Sequence, residues 1–138
     1  KIKGTTEHTE KKRELMNKDP LIDQVIGLAI EVHRQLGSGL LESAYEQCLC
    51  HELANANMGF ERQKSIGIDY KGTKLNCGFR ADLIVENKLL IELKAIERIL
   101  PIHEAQLLTY MKLSKIGTGL ILNFNTKVLK DGIKRMVL

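Results

Sequence analysis

Apolar residues change their spacing near residue 60 of this 138-residue chain. Before that point they recur every three or four positions. After it, short apolar runs alternate with turn residues, so helices come first and strands follow. Ile22, Val25, Ile26, Ala29, Val32 and Leu36 make one helical stripe, which predicts a helix over Leu21–Leu36 stopped by Gly37. The chain turns through Gly37-Ser38-Gly39 and enters a second helix over Leu40–Met58. Leu41, Ala44, Tyr45, Cys48, Leu49, Leu53 and Ala56 form its apolar side, and Gly59 ends it. Strands are expected over Phe60–Tyr70, Lys74–Val85 and Lys88–Ile96, with Lys71-Gly72 as the first turn. Pro101 opens a third helix to Ser114, because proline suits a first helical turn. Thr118–Phe124 reads as a buried strand and Ile133–Leu138 as a short edge strand. Strands one to three are hairpin-linked and antiparallel, while strand three, the helix and strand four form a crossover whose strands run parallel. The expected fold class is α/β, a mixed sheet flanked by helices in the order α-α-β-β-β-α-β.

One hairpin breaks the apolar pattern with charge. In GFRADLIVENKLLIELKAI, short apolar runs flank Glu86-Asn87-Lys88. If Asn87 is the centre, residues equidistant from it face each other, which sets Asp82 opposite Glu92 and Arg80 opposite Lys94. Alternation puts Glu92 and Lys94 on one face, and Leu89, Ile91, Leu93 and Ala95 on the other with Ala81, Leu83 and Val85. Two like charges directly opposite on a sheet repel, and a bound cation reverses that penalty. Two carboxylates with a lysine beside them suit a hard divalent ion such as magnesium. The same spacing also fits a plain Glu92–Lys94 ion pair on a solvated face.

Other polar residues have two readings each. His103, Gln106 and Tyr110 form a stripe on the third helix that leads out of the acid-bearing strand; the plain alternative is the wet edge of an amphipathic helix. Glu42, taken as N3 of the second helix, is either a capping residue or a third carboxylate for a metal. His33 falls on an apolar stripe and reads as a satisfied core histidine, with ligand or proton-shuttle duty as the lesser option. Cys48, Cys50 and His51 do not converge on a helix, so no zinc site is expected, and all three cysteines read as small core or half-buried residues.

Composition narrows the setting. The length suits one domain with a real core. No apolar run approaches a membrane span, and the first residues lack the apolar segment of a secretory signal. Three cysteines without paired spacing suit a reducing, cytoplasmic compartment. The net charge of +4 is mostly in residues 1–18, which hold six basic and three acidic side chains and read as a flexible charged lead-in. Residues 19–138 hold 15 basic and 14 acidic side chains, so a nucleic-acid partner is allowed but not demanded by bulk charge.

With these residues in view, the chain resembles the GxxExxY family of the PD-(D/E)XK nuclease superfamily. The naming motif stands as Gly39-Leu40-Leu41-Glu42-Ser43-Ala44-Tyr45, followed by GFRADLIVENKLLIELKAI, HEAQLLTYMKL and GLILNFN in order, over Asp19–Leu138. The resemblance implies a nuclease-like domain over residues 19–138. It matches Asp82 to the first acidic position, Glu92 and Lys94 to Glu-x-Lys, Gln106 and Tyr110 to a Gln-x-x-x-Tyr element, and Glu42 to a helical acid. Ala81 stands where many members have proline. The implied activity is metal-dependent hydrolysis of nucleic-acid phosphodiesters, most naturally DNA. Asp82, Glu92 and the Leu93 carbonyl, with Glu42 as outer support, would hold Mg2+ or Mn2+. Lys94 would orient water or stabilise phosphate charge, and Gln106 and Tyr110 would position the water, the lysine or the nucleic-acid backbone. The alternative is a catalytically silent nucleic-acid-binding or oligomeric module on the same fold.

Overall fold

The computed structural model describes residues 19–138, so the expected lead-in over residues 1–18 lies outside the described residues. Helix α1 spans Pro20–Leu36. Asp19 caps it, its side chain accepting from the Leu21 N–H at 2.9 Å, with proline in the first turn. Gly37 closes it at φ 72, its N–H donating to the His33 carbonyl at 2.8 Å. Helix α2 spans Glu42–Asn55 and is shorter at both ends than Leu40–Met58. Leu41 is still extended (φ −74, ψ 152), and Asn57 is left-handed (φ 57), so neither end can continue the helix.

The strands are β1 (Phe60–Tyr70), β2 (Thr73–Val85), β3 (Leu89–Lys94), β4 (Thr118–Asn123) and β5 (Ile133–Val137), with α3 (Pro101–Ser114) between β3 and β4. They form one sheet in the order β1-β2-β3-β4-β5. β3 and β4 are parallel and the other neighbours antiparallel, so the sheet is mixed as expected. A 3-10 turn over Leu129–Gly132, which apolar spacing does not reveal, leads into β5. Glu86 and Asn87 turn the β2–β3 hairpin at φ 52 and 55, and the Lys88 N–H closes the turn on the Val85 carbonyl at 3.0 Å. That turn sets Leu83 opposite Ile91, Ile84 opposite Leu90 and Val85 opposite Leu89, the register centred on Asn87.

The sheet is covered on both faces. Ile22, Val25, Ala29, Val32, Tyr45, Leu49 and Leu53 of α1 and α2 pack on Leu83, Val85, Leu89, Ile91, Leu93, Leu120 and Leu122. Leu107, Tyr110 and Met111 of α3 pack on Ile66, Ala81, Ile84, Leu90 and Ile121. Gly119 in β4 admits α3 closely: a Cβ there would meet the Met111 sulfur at 2.6 Å. Ala81 therefore belongs with α3, not with Leu83 and Val85 as alternation predicts. The alternation slips at Asp82, which lies across from Gln63 at φ 52. Leu36 is exposed at the end of its stripe. Cys48 and Cys50 are half-buried, but Cys77 is exposed on β2 and is not a core residue, because none of the described residues covers that stretch of the strand. Among the described residues no helix is long and apolar enough to cross a membrane.

Candidate functional site

The β2–β3 ladder stops at Leu83–Ile91, one residue short of the two acids. Beyond it, backbone donors turn to carboxylates. The Asp82 N–H donates to Glu92 Oε1 at 3.3 Å, and the Leu93 N–H donates to Asp82 Oδ2 at 2.8 Å. The strands part here because those donors are engaged by side chains. The expected opposition of Arg80 and Lys94 does not form; Arg80 pairs with Ser65 of β1 instead. Leu89, Ile91, Leu93 and Ala95 pack toward α1 and α2, which leaves Glu92 and Lys94 at the alternate positions.

Glu92 is only 6% exposed. Burial pushes its carboxyl up to about 8, the charge of Asp82 and a side-chain hydrogen bond with it push the same way, and the Asp82 N–H and Lys94 oppose. Burial and the Asp82 charge thus both favour the protonated form of Glu92. Lys94 is half-buried and forms no salt bridge among the described residues; its charge acts on both Glu92 and Glu42. No three His, Cys, Asp or Glu side chains gather as a ready metal cage among the described residues. Two neighbouring carboxylates nevertheless fit magnesium, which commonly takes one or two and completes its shell with water and phosphate.

The strand bearing Lys94 is fixed at its end by β4. The Phe124 N–H donates to the Lys94 carbonyl at 2.8 Å. Buried Asn123 accepts from the Ile96 N–H at 3.1 Å and donates to the Ile96 carbonyl at 3.0 Å. Asn123 thus binds the chain just after Lys94 in both directions.

Helix α2 approaches from the other side. Glu42 is its first residue rather than N3, and it makes no cap. Partial burial raises its carboxyl; Lys94 lowers it, and Asp82 and Glu46 raise it, so Glu42 lies within electrostatic reach of the pair. Gly39 takes φ 100 in the joint between the helices, a region glycine enters freely. Tyr45 locks that joint: its hydroxyl donates to the Gly37 carbonyl at 2.7 Å and accepts from the Leu40 N–H at 3.1 Å. Its ring stacks on Phe124, centroids 4.4 Å apart. Gly39, Glu42 and Tyr45 therefore present one carboxylate from a braced helix start.

Glu46 and Gln63 escape the sequence reading. Buried Glu46 accepts from Arg62 Nε at 2.6 Å and from Gln63 Nε2 at 2.7 Å, and Gln63 Nε2 also lies 3.2 Å from Asp82 Oδ1. The one available signal was the spacing of Glu42 and Glu46, which share a helix face.

Gln106 and Tyr110 pair with each other, Nε2 donating to the hydroxyl at 2.9 Å, and neither hydrogen-bonds to Asp82, Glu92 or Lys94. Tyr110 is not on a wet edge. It is buried, 8% exposed, because Phe79 of β2 packs over it with ring centroids 5.9 Å apart. The pair lines a cavity of about 360 Å3 with Ile68, Phe79, Ile102 and Thr109. His103 caps α3, its Nδ1 accepting from the Leu100 N–H at 2.8 Å. His33 is a satisfied core residue, with Nε2 2.9 Å from the Thr126 carbonyl.

Residues 19–136 match a family model described as the PD-(D/E)XK nuclease superfamily. No curated protein and no solved structure matches the chain.

Proposed function

Since the chain belongs to the PD-(D/E)XK nuclease superfamily, we propose that residues 19–138 form a metal-dependent nuclease domain of the GxxExxY kind. Its reaction is hydrolysis of nucleic-acid phosphodiesters. The observation that carries this reading is the parting of β2 and β3, where Asp82 and Glu92 meet beside Lys94.

Asp82 and Glu92 would hold Mg2+ or Mn2+, with the Leu93 carbonyl and Glu42 completing the protein's share of ligands. When bound, the ion supplies positive charge to a phosphate oxygen and makes a water more acidic. To serve as a ligand Glu92 would have to be ionised, so metal binding would release its proton to solvent and offset the burial and Asp82 charge that favour the neutral acid. The Asn123–Ile96 clamp fixes the chain just after Lys94, whose charge acts on Glu92 and Glu42, and Lys94 would orient the attacking water or meet charge growing on the phosphate. Gln106 and Tyr110 hydrogen-bond to each other and not to the acids, which suits holding the nucleic-acid strand better than moving protons.

Charge distribution supports a nucleic-acid partner. Residues 64–80 hold four basic and one acidic side chain, while the rest of residues 19–138 holds 11 basic and 13 acidic. The outer part of the β1–β2 hairpin is exposed along β2, with Tyr70 58% accessible at its tip. Cations interleaved with an exposed aromatic ring suit phosphates and bases. DNA is the substrate proposed first, and the unpaired cysteines suit a reducing cytoplasm.

The test is a panel of labelled DNA and RNA strands, single and double, with Mg2+ or Mn2+, comparing the natural chain with Glu92→Gln. Cleavage that needs metal and disappears in Glu92→Gln supports the reading. Metal-independent binding by both proteins without cleavage would instead identify a silent binding module.

A further inference from the structure

Gln63 lies in the middle of β1, across from Asp82, with φ at 52. The ladder is intact on either side, Arg62 opposite Leu83 and Lys64 opposite Ala81, so the irregularity is confined to the Gln63–Asp82 level. A residue with a side chain is strained in this region, and such strain persists only where the surroundings hold it. Consecutive side chains of a regular strand point to opposite faces. Here Arg62 Nε and Gln63 Nε2 nevertheless reach the same carboxylate, that of Glu46, at 2.6 Å and 2.7 Å. The left-handed residue is what brings successive side chains to one partner.

We infer that Gln63 is a positioning residue for Asp82, anchored through Glu46 and Arg62; this rests on the metal-site reading above. The carboxamide NH2 has two donors, and its nitrogen lies 2.7 Å from Glu46 Oε1 and 3.2 Å from Asp82 Oδ1. The other Asp82 oxygen, Oδ2, accepts from the Leu93 N–H at 2.8 Å. Apart from the neighbouring Glu92 carboxyl, Gln63 thus holds one Asp82 oxygen and the Leu93 N–H the other, which fixes the plane of the carboxylate.

The residue type matters. A lysine at this place would neutralise Asp82 and compete with the ion. A glutamate would add a third negative charge against Glu46 and Asp82. A carboxamide donates without charge, so Asp82 is held and its full charge stays available. Glu46 is 5% exposed, and the Arg62 guanidinium beside it offsets its charge.

The experiment uses the full chain with Gln63→Gly and Gln63→Met, measuring Mn2+ binding by calorimetry, thermal unfolding in chelator, and cleavage kinetics. Glycine is at ease at this φ, which offsets the hydrogen bond lost from buried Glu46, so Gln63→Gly should melt close to the natural chain. The same variant should weaken Mn2+ binding roughly ten-fold or more, the usual effect of removing a partner that orients a metal ligand. It should lower kcat while leaving KM for nucleic acid near its natural value. Gln63→Met, of similar length but without donors, should show the same loss of affinity. Natural Mn2+ affinity in both variants would overturn the inference. A loss of affinity that only follows a lower melting temperature would also overturn it, making Gln63 a structural residue. If the natural chain binds no Mn2+ in the same calorimeter, the metal-site reading fails first, and the role of Gln63 fails with it.

Discussion

Replacing Glu92 with glutamine should stabilise the metal-free protein at neutral and alkaline pH, although it removes a central acid. Burial and the neighbouring Asp82 raise the Glu92 carboxyl from 4.5 to about 8. In the unfolded chain the same group ionises near its ordinary value. Between those two values the folded state holds a proton that the unfolded state has lost, so stability falls as pH rises from 4.5 to about 8 and levels off above it. At roughly 1.4 kcal/mol per pKa unit, the whole fall from this group is at most about 5 kcal/mol. Glutamine cannot ionise, and its amide can donate to Asp82 as the protonated acid does. The two proteins should therefore have similar stability near pH 4, and the variant should gain steadily up to pH 8. Urea unfolding in chelator, in steps from pH 4 to pH 9, measures the difference directly. Saturating Mn2+ should reverse the order, because only the natural chain gains binding energy in its folded state. Parallel stability profiles for the two proteins in chelator would refute the argument, since Glu92 would then not be a buried acid kept neutral by Asp82.

Three further outcomes follow from other contacts. Lys94→Ala should lower kcat by about 10²–10³-fold, the cost of losing one charge-stabilising group, while calorimetric Mn2+ affinity stays within a few-fold; joint loss of both would make Lys94 part of the metal site. Tyr45→Phe keeps the stack on Phe124 but leaves the Gly37 carbonyl and Leu40 N–H without their hydroxyl partner, so unfolding free energy should drop by about 1–2 kcal/mol. The double variant Lys71→Ala/Lys74→Ala should weaken strand binding and flatten its salt dependence by roughly 1.5 in log–log slope, without changing hydrolysis of bis(p-nitrophenyl) phosphate. An unchanged salt slope in fluorescence anisotropy would remove the hairpin from the nucleic-acid surface.

Local pattern determined much of this protein. β1 runs over Phe60–Tyr70 as its β-like composition and the Lys71-Gly72 turn predict, although it alternates poorly and buries only Ile66, and α3 runs over Pro101–Ser114 as proline placement predicts. The hairpin register about Asn87 was legible too: the turn at Glu86 and Asn87 fixes which residues face each other before any distant segment arrives. That made the proximity of Asp82 and Glu92 visible in one stretch of sequence. Tertiary structure decided the rest. The ladder ends at Leu83–Ile91 because two side chains take the backbone donors beyond it. Tyr110 is buried because Phe79, from a strand far away in sequence, closes over it. Gln63 could not be singled out, since nothing in FERQKSI marks a left-handed residue. Its carboxamide is shared between Glu46 on a helix and Asp82 on the next strand, partners that only the fold brings together. Periodicity records which face of an element is buried, but a polar side chain's partner is chosen by whatever the fold brings within hydrogen-bond reach.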